Sequence, residues 1–263
     1  MSAPWDIAAR THPGRVRAHN EDTFVCDPDR GRFAVIDGMG GRAAGAVAAN
    51  LTRKVLLDGD GDLRRSIFEA NQVVRADAQA NPEREGMGCV VTAAVIEGDT
   101  ILLAHVGDTR AYLASATGTE QLTRDHTATA ASQEAYGLSD AQARALPHQH
   151  AVTNDVGRVD REGFDWIETH AVPFARGDLL LLCSDGLHDL VPSSELFGLL
   201  TRARAEKVPA THLADQLLAL ALERGGRDNI TLVAVRRRHA GAQLVRALGA
   251  ALRRPDRTLP GNR

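Results

Sequence analysis

The stretch that decides the fold runs Val90-Val91-Thr92-Ala93-Ala94-Val95-Ile96-Glu97-Gly98-Asp99-Thr100-Ile101-Leu102-Leu103-Ala104-His105-Val106-Gly107-Asp108-Thr109-Arg110-Ala111-Tyr112-Leu113. It contains three short apolar runs, Val90 to Ile96, Ile101 to Val106 and Ala111 to Leu113, whose length and Val, Ile and Leu content suit strands better than helices. The runs are apolar at consecutive positions, so both faces of the sheet they enter must be covered. Continuous runs often mark parallel sheets, but parallel strands need long crossovers. Here Glu97-Gly98-Asp99 alone separates Ile96 from Ile101, and only Gly107 to Arg110 separates Val106 from the next run. Both junctions are expected to be hairpins, and the strands antiparallel. Antiparallel strands covered on both faces imply sheet packed on sheet with helices outside.

Working outward, Phe33-Ala34-Val35-Ile36, Leu179 to Cys183 and Ile230 to Val235 read as further strands of the same kind. Leu63, Ile67, Ala70, Val74 and Ala78 repeat at helical spacing, with Asp62 placed as N-cap and Asn81-Pro82 as the stop. Gly45 to Leu57 and Ala210 to Leu222 are similar, and Pro192-Ser193-Ser194-Glu195 opens a shorter helix. Two regions break this rhythm. Residues 124–165 are polar, rich in Ala, Gln and His, and read as an inserted flap. From Arg236 onward the chain holds many arginines and one acid, Asp256; 240–263 reads as an Arg-rich tail, partly disordered, with a short amphipathic stretch at Ala240 to Leu252.

The 263 residues suffice for a sizeable core, and 43% apolar with 25% charged residues is ordinary for a globular protein. A formal charge of -3 gives no reason to expect nucleic acid as a partner. The longest apolar run, Leu179 to Cys183, is far too short to span a bilayer, and no signal peptide is visible, so a soluble protein is expected. Cys26, Cys89 and Cys183 follow no CxxC or disulfide-framework spacing and read as reduced core thiols in a cytoplasmic protein.

Four aspartates sit beside strand-like runs: Asp37 after Val35-Ile36, Asp108 after Val106-Gly107, Asp185 after Cys183-Ser184, and Asp228 before Asn229 and Ile230. Strand termini gather at the edges of a sandwich, so such residues can meet at one end. Two carboxylates about 4 Å apart repel by roughly 4 kcal/mol at an effective dielectric near 20, so a cluster must take up protons or cations. Carboxylate oxygens without a Cys or His ligand set favour Mg²⁺ or Mn²⁺ over zinc. Singly, each is more often a turn residue, because Asp-Gly pairs are common in turns.

The surrounding text separates these readings. Gly14-Arg15-Val16-Arg17-Ala18-His19-Asn20-Glu21-Asp22 resembles the opening motif of the metal-dependent, type 2C Ser/Thr protein phosphatases, especially their bacterial branch. Asp37-Gly38-Met39-Gly40-Gly41, Glu85-Gly86-Met87-Gly88, Gly107-Asp108-Thr109-Arg110, Cys183-Ser184-Asp185-Gly186-Leu187 and Asp228-Asn229-Ile230-Thr231 follow in that family's order, and the resemblance covers about residues 6–238. It implies an α+β, four-layer αββα sandwich of two antiparallel sheets flanked by helices, forming one domain over 1–239. It implies that Asp37 bridges two Mn²⁺ or Mg²⁺ ions with the Gly38 carbonyl as a further ligand, and that Asp185 and Asp228 complete the site. Glu21 and Asp22 would hold metal-bound waters, and Asp108 with Asp189 would make a weaker third site. Arg17 falls where the family grips the substrate phosphate, a task suited to a guanidinium's paired donors.

No Gly-Lys-Ser/Thr follows the glycines of 38–45, so this is not a P-loop. None of the cysteines lies in a Cys-x₅-Arg loop, so direct attack by a metal-bridging hydroxide is the simplest mechanism. Met39 stands where animal relatives place a histidine, leaving His19, His105, His126 and His188 as conceivable acids with water as the default donor. Thr153-Asn154-Asp155-Val156-Gly157 departs from the usual flap segment. The expected activity is hydrolysis of phosphoserine and phosphothreonine on phosphorylated proteins by a cytoplasmic monomer, opposing a cognate Ser/Thr kinase. The competing expectation is a catalytically inactive module that binds phosphoproteins.

Overall fold

The computed structural model describes residues 5–40, 44–139, 142, 151–158, 160 and 163–238. The expected tail at 240–263 and part of the 124–165 insertion lie outside the described residues. Ten strands form two five-stranded sheets. One has the order β1 (Trp5–His12), β10 (Ile230–Arg237), β9 (Leu179–Cys183), β6 (Arg110–Ser115), β7 (Gly118–Gln121). The other has the order β2 (Thr23–Asp27), β3 (Arg32–Met39), β4 (Gly88–Glu97), β5 (Thr100–Val106), β8 (Glu168–Pro173). Every neighbouring pair is antiparallel. The helices are α1 (Ala44–Asp58), α2 (Leu63–Ala80), α3 (Ala128–Tyr136), α4 (Asp185–His188), α5 (Ser193–Ala205) and α6 (Ala210–Glu223).

The run Leu179 to Cys183 shows why this chain makes four layers. Successive strand side chains point to opposite faces. Leu180 and Leu182 enter a core between the sheets with Phe33, Val35 and Val233. Leu179, Leu181 and Cys183 face outward into a second core under α5 and α6, with Leu196, Leu200, Leu213 and Leu217. A third core joins the outer face of the other sheet, through Ala34, Ile36, Val91 and Ala104, to α1 and α2. Helices therefore cover both outer faces, as expected for the αββα sandwich.

The Glu97-Gly98-Asp99 junction is the expected hairpin, with Ile96 opposite Ile101. The second junction is not. β5 and β6 lie in different sheets, β6 pairing with β7 and β9. Gly107, at φ +104°, redirects the chain, and a Cβ there would come within 2.0 Å of Val90 Cγ1. The crossing is locked by Thr109, whose hydroxyl lies 2.7 Å from that of Thr92 in the other sheet, both fully buried. The short gap expected to be a hairpin is instead an arch between layers, and the arch carries Asp108 to the end of the sandwich.

The helix expectations hold closely. Asp62 caps α2, its carboxylate accepting from the Arg65 backbone N–H at 3.0 Å. The inserted region includes α3, capped by Thr127 and closed by Gly137 at φ +64°, with no buried residue. Cys89 and Cys183 are buried, but Cys26, near the end of the edge strand β2, is exposed. No helix among the described residues is long and apolar enough to cross a membrane.

Leu181 is fully buried in the outer core, so Leu181→Ala is expected to cost about 2–5 kcal/mol by urea denaturation, against within about 0.5 kcal/mol for Val73→Ala on the exposed side of α2.

Candidate metal centre

Strand ends deliver the acids to one end of the sandwich. Asp37 lies near the end of β3, Asp108 just past β5, Asp185 just past β9, Asp228 just before β10 and Asp22 just before β2. Glu21, Asp37, Gly38, Asp108, Asp185 and Asp228 line a cleft of about 440 Å³ together with Arg17 and His19. A neighbouring cavity of about 910 Å³ shares Asp108, Asp185 and Asp228 with it and includes Asp189. Asp22 is buried behind the cleft, 8% exposed.

Glycines permit the close packing. A Cβ on Gly38 would lie 2.3 Å from the Gly45 carbonyl oxygen, so the end of β3 and the start of α1 approach to backbone contact. On Gly186 it would lie 1.9 Å from the Asn229 carbonyl oxygen, so the Asp-Gly pair serves close approach rather than a turn. Two residues given no role by the motif reading organise the loops. Asn229 donates to the Pro13 and His19 carbonyls at 3.0 and 2.9 Å, and accepts from the Glu21 N–H at 2.8 Å. Ser184 donates to Asp22 Oδ2 at 2.8 Å. Both stand beside the acids themselves, Ser184 next to Asp185 and Asn229 next to Asp228.

The electrostatics are those of too many carboxylates in too little water. Burial raises Asp37 well above the usual range, and Asp22, Asp185, Asp108 and Asp228 add repulsion. Burial likewise lifts Asp22 to about 6. Asp185 is pushed to about 7 by burial, then Asp108. Asp108 reaches about 7 through burial, then Asp125 and Asp189. Asp22 Oδ1 and Asp185 Oδ1 are buried without a hydrogen-bond partner, each a lone pair needing a cation or proton. The oxygen-only donor set fits Mg²⁺ or Mn²⁺, ions that keep waters in their coordination shell. Among the described residues, His105, His126 and Glu168 also form a group of possible ligands, their donor atoms lying within 4.8 Å of one another.

Arg17 Nη2 donates to Asp228 Oδ2 at 2.6 Å, rather than pairing with the nearby Glu21. Of the four histidines considered as acids, His19 lines the cleft. His188 is turned to the Asp108 carbonyl at 2.9 Å, while His105 and His126 lie with Glu168 at the sheet edge.

Comparisons with known proteins agree with this arrangement. The family model described as protein phosphatase 2C matches residues 12–141. The serine/threonine phosphatase stp of Listeria welshimeri is 33% identical over 244 residues, covering 87% of this chain and 94% of that protein. The crystal structure of the Mycobacterium tuberculosis serine/threonine phosphatase PstP/Ppp superposes with a TM-score of 0.78 at 30% identity, covering 89% of this chain and 99% of the other. A structure of the PstP catalytic domain in complex with 2 manganese ions gives a TM-score of 0.76, again at 30% identity, with the same 89% and 99% coverage.

A buried acid with a raised pKa binds its proton more tightly folded than unfolded, so its contribution to stability is lost as pH climbs from 3.8 toward about 7 for Asp185. In chelator, the stability of Asp185→Asn relative to wild type is therefore expected to grow across that interval and level off above it, as read by thermal unfolding at a series of pH values. Taking the difference cancels His105, whose depressed pKa of about 4 acts in the opposite sense. A flat difference contradicts the assignment.

Proposed function

The chain belongs to the protein phosphatase 2C family and is a metal-dependent protein-serine/threonine phosphatase, and from that premise we propose how its own residues carry the hydrolysis. The observation that carries the reading is the buried acidic cleft with orphaned carboxylate oxygens and a guanidinium at its wall. Asp37, Asp185, Asp228 and the Gly38 carbonyl would hold two Mn²⁺ or Mg²⁺ ions, Glu21 and Asp22 would orient their waters, and Asp108 with Asp189 would serve a weaker third site. When bound, the ions supply a Lewis acid that lowers the pKa of water and polarises the phosphoryl group.

Arg17 is the only Arg or Lys among the described residues lining the cleft, and its side chain is 56% exposed. Moving from Asp228 to the substrate, it would offer two parallel N–H donors to phosphate oxygens and hold the phosphorus in line with the attacking water. Ser184 holds Asp22, and Asn229 holds the loop that carries Glu21, so both act by fixing acids in place. Met39 has no proton to give, and the leaving alkoxide would take one from water in the open cleft.

The full acidic set supports the catalytic reading over a binding-only module. We further take the physiological substrates to be proteins phosphorylated by a cognate Ser/Thr kinase. The enzyme would act in signal transduction as a cytoplasmic monomer, without nucleic acid, through one phosphatase domain over 1–239 with the 124–165 flap beside the cleft. Free Cys26, Cys89 and Cys183 accord with a reducing compartment.

Hydrolysis of p-nitrophenyl phosphate is expected to vanish in chelator and return with Mn²⁺. Asp37→Asn should lower kcat about 10²–10³-fold, the scale of losing one preorganised electrostatic group. Arg17→Ala should raise KM about tenfold, the loss of roughly 1.4 kcal/mol of phosphate binding. Metal-independent turnover, or full activity of Asp37→Asn in Mn²⁺, sinks the proposal.

A further inference from the structure

Away from the acidic cleft, four side chains meet at the free edge of the second sheet. They are His105 on β5, its register partner Glu168 on β8, His170 on β8, and His126 from the start of the insertion. The 4.8 Å spacing of His105, His126 and Glu168 is one that a transition-metal site could exploit. The hydrogen bonds decide otherwise. His126 Nδ1 faces two donors, the Gly107 backbone N–H at 3.1 Å and the Asn154 side-chain amide at 3.2 Å. Asn154 cannot be turned over, because the same amide nitrogen also donates to the Trp166 carbonyl at 2.5 Å. Two donors on Nδ1 leave the ring proton on Nε2, which faces Glu168 Oε2 at 3.3 Å. An ion on Nε2 would drive that proton to Nδ1 against both donors.

The partners are set for the same arrangement. Burial would raise Glu168, but hydrogen bonds from His126 and His170 hold it down to about 2, so it is an anion ready to accept. His105 is pushed down to about 4, chiefly by burial, and as a neutral ring it turns Nε2 to the Arg124 carbonyl at 3.0 Å.

His126 is tied on both sides. Its backbone N–H donates to the Gly107 carbonyl at 2.7 Å, so Gly107 is gripped at its N–H and its C=O by one residue. The next residue is Asp108, in the cleft wall. His126 also accepts from the Thr153 N–H at 2.8 Å, and Thr127 bridges Val152, closing the neck of the insertion. We propose that Glu168 and His126 form a positioning brace that holds the Gly107–Asp108 arch of the acidic cleft and the neck of the 124–165 insertion in one fixed relation. The brace deepens the phosphatase reading and rests on it for its effect on activity. His126 acts through Gly107 and touches no reacting atom.

The test pairs His126→Leu, which loses every ring hydrogen bond, with His126→Asn, whose amide oxygen can stand near the Nδ1 position and accept from Gly107. Hydrogen exchange of the metal-free protein should show Gly107 and Thr153 amides exchanging about tenfold faster in His126→Leu, the loss of roughly one net hydrogen bond, while amides of β4 and β9 keep their protection. In Mn²⁺, kcat on p-nitrophenyl phosphate should fall about tenfold with KM unchanged, a modest misplacement of the arch. His126→Asn should recover most of the Gly107 protection and of kcat. ¹⁵N spectra of wild type should place the His126 proton on Nε2 and be unchanged by micromolar Zn²⁺. The brace is overturned by a proton on Nδ1, by Zn²⁺ taking the Nε2 position, by exchange rising equally throughout the sheets, or by a His126→Leu protein with wild-type exchange and kcat. The exchange and tautomer measurements use metal-free protein, so they test the brace whether or not the phosphatase reading holds.

Discussion

Asp22, Asp37, Asp108, Asp185 and Asp228 share one end of the sandwich, where burial and mutual repulsion lift the pKa values of the first four. Such a group cannot stay fully charged in a partly dry space without positive charge, because each added carboxylate raises the cost of ionising the others. Arg17 supplies some of that charge through Asp228. Two carboxylate oxygens still have no partner. The need for bound protons or cations thus follows from the folded chain, before any chemistry is considered.

The fold exists in a form that sustains this strain. Large cores on both sides of each sheet anchor the strands whose ends carry the acids. Gly38 and Gly186 then allow backbone to meet backbone where any side chain would push the acids apart. Stability resides in the layers and function at their rim, where Ser184 and Asn229 hold the loops. The arch at Gly107 joins the two roles, since it links the sheets and sets Asp108.

The six strands legible as apolar runs are β3, β4, β5, β6, β9 and β10, and these are the inner strands of the two sheets. The four that escaped, β1, β2, β7 and β8, are the four edges. β8 has no fully buried position, intermediate and exposed residues alternating along it, and so lacks a continuous apolar run. The β5–β6 junction departs from the expected hairpin because gap length alone does not distinguish a hairpin from an arch between sheets, and a positive-φ glycine occurs in both, at Gly98 and at Gly107; only the pairing of β6 with β7 and β9 separates them. The acids were legible through the motifs around them rather than through spacing. Ser184 and Asn229 were not singled out, because a residue that holds another in place has no chemical signature of its own. His126 and Glu168 lie 42 positions apart, and only the register of β8 on β5 brings Glu168 to that edge.

The central claim is that the cleft stores protons that divalent cations displace. Calorimetric titration of metal-free protein with Mn²⁺ near pH 6.5, repeated in buffers of different ionisation enthalpy, measures this directly. The account predicts at least two ions bound per chain with net proton release, and with less release in Asp185→Asn. Binding of Mn²⁺ with no proton release at that pH, or release unchanged in the variant, would contradict it.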